Sequence, residues 1–431
     1  MAVPSPLHLT DLTDCGGCAA KLGADLLADA LAGLGADAPA ELVVGLEPPD
    51  DAAAYLVAPD LVILGTVDFF PPLVDDPETY GAISAANAVS DIFAMGGRVL
   101  FALSITALPE DLPRDATAAI LAGASATVRA AGGTLAGGHT IRQAEPTFGL
   151  AVIGAAHPDR LLRKGGARPG DVLVLTKPLG TGLLVSGARA ARTAAADATG
   201  GSHAATGWGG VAPDGRTVAG DISPAGFTSP AGFASPAGFT SPAGFTSPAG
   251  FTSPADLAGA IASMRRLNRA VSEAFVAHGL SGATDVTGFG LLGHAWEMAR
   301  AASAPRGVTA AAGPVPGPGT TRGAPSSAVR LVLDAAALPA LPGALAIAAA
   351  GTETGGATHN RRFVAAHLTV DPDVPPELIA LAHDPQTSGG LLAAVPPARL
   401  AAVTAALDAV GEPWWRIGRV EAAESPGIAL V

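Results

Sequence analysis

Twice along this chain the same order recurs: apolar runs of strand length alternate with helix-length segments, which in the first half end on paired glycines. LVILGTVDFF (61–70) reads as a buried strand ending at an aspartate, Asp68. YGAISAANAVSDIFAMGG (80–97) reads as a helix stopped by Gly96 and Gly97, because glycine enters the left-handed conformation that closes helices. VLFALSITAL (99–108) is a second strand, RDATAAILAGASATVRAAGG (114–133) an amphipathic helix, TLAGGHT a loop, and FGLAVIGAAH (148–157) a strand. The pattern restarts in ARPGDVLVLTKPLGTGLLV (167–185) and runs through one helix over 257–279 and the segment GATDVTGFGLLGHAWEMARAA. HDPQTSGGLLAAV, the helix PARLAAVTAALDAVG and the strand WWRIGRV close it. This predicts an α+β protein in two domains of similar design, divided near 157–166.

One segment falls outside that order. Residues 223–252 repeat SPAGFT or SPAGFA five times, with a proline in every unit and no charge. Proline at this density removes donors from helix and sheet ladders, so about 194–254 reads as a disordered surface insertion. The formal net charge of −13 argues against a general nucleic-acid surface, which needs a basic footprint. No uncharged apolar run reaches the ~18 residues of a membrane span, and the N-terminus lacks the pattern of a signal peptide. Two cysteines in 431 residues give no disulfide framework. The expectation is a cytoplasmic protein with reduced thiols.

Aspartates in four settings suit ligands. Asp50 and Asp51 open an apolar segment, Asp68 ends a strand, Asp91 sits inside an apolar helix, and Asp285 precedes a glycine-rich turn. Mg²⁺ prefers hard oxygen ligands and combines a few carboxylates with phosphate oxygens and water. Carboxylates converging from separate segments would therefore suit Mg²⁺ on a polyphosphate, although each alone also fits an N-cap, a turn or a solvated charge. AMGG, LAGGHT, TGFGLLGH and TSGGLL permit close backbone approach to a ligand, yet none matches GxxxxGK[ST] or GxGxxG. ATP binding here would not use a P-loop. His139 could donate to a phosphate or simply bond to backbone.

DCGGCAAK (14–21) holds both cysteines. A zinc site needs four ligands, and no histidine pair lies near them in the sequence. A thioredoxin-like pair needs a βαβ context that the polar lead-in LHLTDLTD does not supply. Cys18 and Lys21 are spaced i, i+3, so on a helix an ammonium would lie near the thiol and favour its thiolate. A flexible tail with ordinary thiols is the plain alternative.

In combination, GCAAK, DDAAAY, TVDFF, NAVSDIFAMGG, LAGGHTI, LTKPLGTG, TDVTGFGLLGH and DPQTSGGLL resemble the selenophosphate synthetases (selenide, water dikinases), in family order across residues 15–395. These belong to the aminoimidazole ribonucleotide synthetase-like superfamily. The resemblance implies a two-domain α+β fold, a homodimer built from N-terminal sheets and a C-terminal α/β sandwich. It implies a mobile segment over 1–40, an ATP-binding domain over 41–157 and a C-terminal domain over 158–431. It implies the reaction ATP + selenide + water → selenophosphate + AMP + phosphate, with Mg²⁺. By motif, Cys18 and Lys21 correspond to the catalytic pair. Asp51, Asp91 and Asp285 correspond to magnesium ligands. Lys21, Pro48, Pro49, Asp50, Asp68, Asp91, Gly138, His139 and Thr140 correspond to nucleotide contacts, the last three across the dimer. The hexad tract and an expanded PVPGPG loop depart from the family pattern, and His359 stands where an arginine is more usual. Another ATP-dependent kinase or cyclo-ligase of the superfamily, or a non-enzymatic selenium or nucleotide binder, is the alternative reading.

Overall fold

The computed structural model describes residues 7–13, 34, 38–46, 49–198, 251–304, 328–352 and 354–431. Residues 223–250 of the repeat tract and the Cys15–Lys21 stretch lie outside the described residues.

Residues 42–156 build one mixed sheet. Its strands are β1 (Leu42–Val44), β2 (Ala53–Ala58), β3 (Leu61–Phe70), β4 (Arg98–Leu108), β5 (Thr134–Arg142) and β6 (Thr147–Ala156), ordered β1-β2-β3-β6-β4-β5. Only β4 and β5 run parallel, and a parallel step needs a crossover. The helix α2 (Arg114–Ala130) supplies it, beside α1 (Pro77–Ala94). Asp76 caps α1 by accepting from the Thr79 N–H at 2.9 Å, and Pro77 takes the first turn, where a missing donor costs nothing. The two helices pack backbone to backbone. A Cβ on Gly81 would lie 1.9 Å from the Ile120 carbonyl oxygen, and one on Gly123 2.0 Å from that of Glu78.

Alternation along β3 decides which side chains meet the helices. Val62, Leu64, Asp68 and Phe70 turn inward, while Val67 and Phe69 face out. The same row carries two polar residues, Thr66 and Asp68, whose side chains are thereby delivered beneath α1.

Residues 172–430 build the second sheet, β10-β13-β9-β12-β7-β11-β8. Its strands are β7 (Val172–Leu175), β8 (Gly282–Asp285), β9 (Ala328–Leu333), β10 (Leu368–Val370), β11 (Leu391–Val395), β12 (Trp415–Ala423) and β13 (Gly427–Leu430). Around it lie α3 (Thr181–Ala198), α4 (Pro254–Arg265), α5 (Arg269–Ala277), α6 (Gly290–Ser303), α7 (Ala344–Ala349), α8 (Gly355–Val364), α9 (Pro376–His383) and α10 (Pro397–Ala409). The chain is thus α+β with two sheets, as its strand–helix alternation indicates. One apolar core runs through both halves, from Ile83 and Ile92 of α1 to Leu291 of α6 and Leu392 of β11.

Three local expectations are corrected. TLAGGHT is not a loop: Gly138, His139 and Thr140 lie in β5, opposite Ser104, Ile105 and Thr106. Two glycines disguise the strand, and Gly138 is there because a Cβ would sit 2.1 Å from Ser104 Oγ and 2.3 Å from its carbonyl oxygen. The single helix over 257–279 is two, α4 and α5, parted at Arg266–Asn268. The break turns buried Asn268 toward α1, where its amide donates to Ser90 Oγ at 2.9 Å and to the Gly389 carbonyl at 2.9 Å. Finally, α3 extends to Ala198, and Thr252 is buried with its hydroxyl on the Leu184 carbonyl at 2.7 Å, so both ends of the expected insertion belong to the fold.

Candidate active site

Helix α1 lies between the two sheets, and the acidic cluster forms around it. Asp91 is buried in the last turns of α1 and accepts from Thr66 Oγ1 on β3 at 2.5 Å. Asp68, two residues along β3, accepts from Asn87 Nδ2 at 2.6 Å. From the other half, Asp285 ends β8 with 1 % of its surface exposed. Asp51 enters just before β2, and Thr284 Oγ1 donates to its Oδ1 at 2.8 Å. Four of the aspartates singled out from sequence therefore converge from four separate segments.

Burial and mutual charge together set the electrostatics of the site. Burial, then Asp285, Asp68 and Asp51, push Asp91 well above the usual carboxylate range. Burial and Asp51 raise Asp285 to about 6, against the opposing pull of His294 and Ser90. Burial and Asp51 likewise raise Asp50 to about 7; Lys164 and two backbone N–H groups pull the other way. Asp50 accepts those N–H groups from Asp51 at 2.9 Å and Lys164 at 3.1 Å, so it shapes the turn that presents Asp51. Pro49 is exposed beside it, and Pro48 lies outside the described residues.

The sequence reading missed the cation that partly balances this charge. Lys164, buried, places Nζ 3.0 Å from Asp51 Oδ1 and 3.1 Å from Glu297 Oε2. Asp51 and Glu297 hold its ammonium well above the usual lysine range despite burial. Burial opposes ionisation of Glu297, but Lys164 and His294 outweigh it and hold the acid well below its ordinary value. His294 Nδ1 meets Glu297 Oε2 at 3.1 Å, and its Nε2 meets Thr287 Oγ1 at 3.3 Å. The only local signal was the i, i+3 spacing of His294 and Glu297 on α6; nothing near Lys164 in sequence points to Asp51.

A metal's fit can be judged from the same atoms. Among the described residues, no three His, Cys, Asp or Glu side chains come close enough together to hold a metal ion by themselves. Yet Asp51 Oδ2 and Asp285 Oδ2 are buried without a hydrogen-bond partner among those residues. Orphaned hard oxygens on two segments suit an ion that takes one or two carboxylates and completes its shell with phosphate and water, and they do not suit an all-protein cage. Gly138, His139 and Thr140 are exposed on the edge strand β5 and stand apart from the buried cluster. Cys18 and Lys21, like Cys15, lie outside the described residues. No helix among the described residues is long and apolar enough to cross a membrane.

Comparison with known proteins gives this geometry a family. Residues 49–156 match the N-terminal domain of the AIR synthase related proteins, and residues 244–431 match their C-terminal domain. The chain is similar in fold to a crystal structure from Thermus thermophilus (TM-score 0.56, 23 % identity, 95 % of this chain and 97 % of that one). It is also similar to thiamine-monophosphate kinase from Stenotrophomonas maltophilia (TM-score 0.51, 17 % identity, 94 % and 95 %). Among curated relatives, it is 36 % identical over 426 residues to the selenide, water dikinase of Myxococcus xanthus, covering 98 % of this chain and 97 % of that one. It is 34 % identical over 405 residues to that of Agathobacter rectalis, covering 94 % of each. Matches of this extent and identity make the chain an enzyme of the selenide, water dikinase family, ATP-dependent makers of selenophosphate.

Proposed function

We propose that the carboxylate cluster around α1 is where ATP, selenide and water become selenophosphate, AMP and phosphate, and that Asp51, Asp91 and Asp285 hold Mg²⁺ there. The observation that carries this reading is the pair of orphaned buried oxygens, Asp51 Oδ2 and Asp285 Oδ2, within a cluster where burial and neighbouring carboxylates raise the proton affinity of Asp91 and Asp285. A cluster that disfavours full ionisation is one that a divalent cation would relieve. When bound, Mg²⁺ neutralises polyphosphate charge and aligns the transferring group. Lys164 and Glu297 orient Asp51, Thr66 orients Asp91, and Asn87 orients Asp68 beside the phosphates. In this reading Cys18 and Lys21 engage selenide, the ammonium favouring an anionic nucleophile, and Asp50 with Pro48 and Pro49 forms the nucleotide-side turn.

The same reading divides the chain near residue 157 into an ATP-binding and a C-terminal domain, and keeps residues 1–40 as the segment that brings Cys18 to the nucleotide. A homodimer belongs to it. The outward face of the first sheet exposes Tyr55, Val57, Val67, Phe69, Leu103 and Ile141, an apolar patch of the kind that marks an interface. A second copy of this chain on that face would bring Gly138, His139 and Thr140 of its β5 edge toward a neighbouring nucleotide. Reduced thiols and ATP both suit the cytoplasm.

The test is selenide-dependent AMP formation from Mg-ATP under anaerobic reductant. Cys18→Ser and Lys21→Ala should each abolish it. Retention of full activity in both variants would remove Cys18 and Lys21 from the reaction, whereas ADP formation that ignores selenide would favour a different kinase or cyclo-ligase of the superfamily.

A further inference from the structure

The sharp segment DPQTSGG (384–390) belongs to the second half of the chain, and the mechanism above gives it no part. It makes one backbone contact into the acidic cluster. Ser388 is the only non-glycine among the described residues with a positive φ, 49°, a conformation that costs energy and persists only where its surroundings enforce it. Here the enforcement is visible. A Cβ on Gly389 would lie 2.0 Å from the Val286 carbonyl oxygen, and one on Gly390 2.3 Å from the Lys177 nitrogen, so the loop is wedged between β8 and the end of β7. Lys177, buried, donates from Nζ to the Ser388 carbonyl at 2.8 Å and to the Arg266 carbonyl at 2.6 Å.

Held this way, the Ser388 N–H donates to Asn87 Oδ1 at 2.8 Å, and Asn87 Nδ2 donates to Asp68 Oδ2 at 2.6 Å. The order of these bonds matters. An asparagine amide can present either its oxygen or its nitrogen to a neighbour. A backbone donor on one side obliges the oxygen to face it and leaves the NH₂ group for the carboxylate. Ser388 Oγ takes no part; it is buried without a partner among the described residues.

We infer that Lys177, the Ser388 backbone and Asn87 form one positioning relay, through which the second half of the chain fixes the orientation of the Asp68 carboxylate toward the nucleotide phosphates. The inference rests on the reading of Asp68 given above. These residues are positioning residues and touch no reacting atom.

The test is isothermal titration of a non-hydrolysable ATP analogue with Mg²⁺ into the full chain, read beside the nucleotide-free melting temperature. Asn87→Ala should weaken binding about tenfold, the loss of one hydrogen bond to a charged group. Lys177→Met should weaken it comparably. Because both act through one carboxylate, the double variant should lose no more than the worse single one. Binding by Asn87→Ala within twofold of the native chain overturns the relay, as do losses that add. If Lys177→Met does not fold, Asn87→Asp decides: it keeps the acceptor for Ser388 but sets a like charge against Asp68, and native affinity there overturns the proposal. Asp68→Asn separates the two claims. Unchanged affinity in that variant defeats the reading of Asp68 itself, whereas a loss there with none in Asn87→Ala defeats the relay alone.

Discussion

Replacing Lys164 by methionine removes the cation at the centre of the site while keeping its length and apolar stem. The lysine bridges two carboxylates at 3.0 and 3.1 Å, and the side chains of Lys164, Asp51 and Glu297 are 8 %, 3 % and 12 % exposed. At an effective dielectric near 20, each contact is worth on the order of 5 kcal/mol before desolvation. Much of that is cancelled by the cost of burying the ammonium. Deleting one partner of a buried pair nevertheless costs about 3–5 kcal/mol, because the remaining charges lose their counter-ion. For a cooperative unit of about 200 residues, 4 kcal/mol lowers the melting temperature by roughly 10 °C. The assay is thermal unfolding followed by circular dichroism at neutral pH without nucleotide. Lys164→Met/Glu297→Gln should melt no lower than Lys164→Met alone, since the second change neutralises a carboxylate that the first left exposed to its neighbours. A fall below about 2 °C in the single variant, or a further large fall in the double one, would refute the view that Lys164 holds the acidic cluster together.

Other outcomes follow from the same structure. Asp384 is buried, and burial raises it to about 7 although Leu183, Gln386 and Gly182 bond to it. The folded chain therefore keeps a proton that the unfolded chain has lost, so this group's stabilisation is complete below about pH 4 and is lost as pH rises through 7. Asp384→Asn should flatten the decline in urea midpoint between pH 4 and 7; an unchanged slope would contradict it. Gly138→Ala would set a Cβ against the Ser104 backbone, whereas Gly137→Ala meets only Leu103 Cδ2 at 3.7 Å. The first should therefore cost about 2 kcal/mol more than the second, and equal denaturation midpoints would argue against that packing. Replacing residues 199–250 by a short linker, with Thr252 and the Ser253 cap of α4 kept, should leave selenide-dependent AMP formation intact. Loss of activity in a folded variant would assign that segment a part in the reaction.

How much the sequence revealed depended on whether the signal was local. Asp68, Asp91 and Asp285 stand out because a charge in an apolar strand, an apolar helix or at a glycine turn breaks a periodic pattern. Asp51 stands out by motif. Lys164, Asn87, Ser388 and Lys177 break no such pattern, and their partners lie at sequence separations such as 301 residues for Ser388 and Asn87. Only the fold brings them together. Two of the three local corrections have one cause, a tertiary contact that overrides the local signal. Gly137 and Gly138 read as a loop, but both lie in a paired strand, and Gly138 permits its close approach to Ser104. The helix past Arg265 breaks because buried Asn268 bonds to Ser90 and Gly389.

The account is tested most directly by phosphorus NMR of the anaerobic reaction with Mg-ATP. With selenide present, AMP, phosphate and selenophosphate should accumulate in equal amounts. ADP forming at the same rate whether or not selenide is added would contradict it.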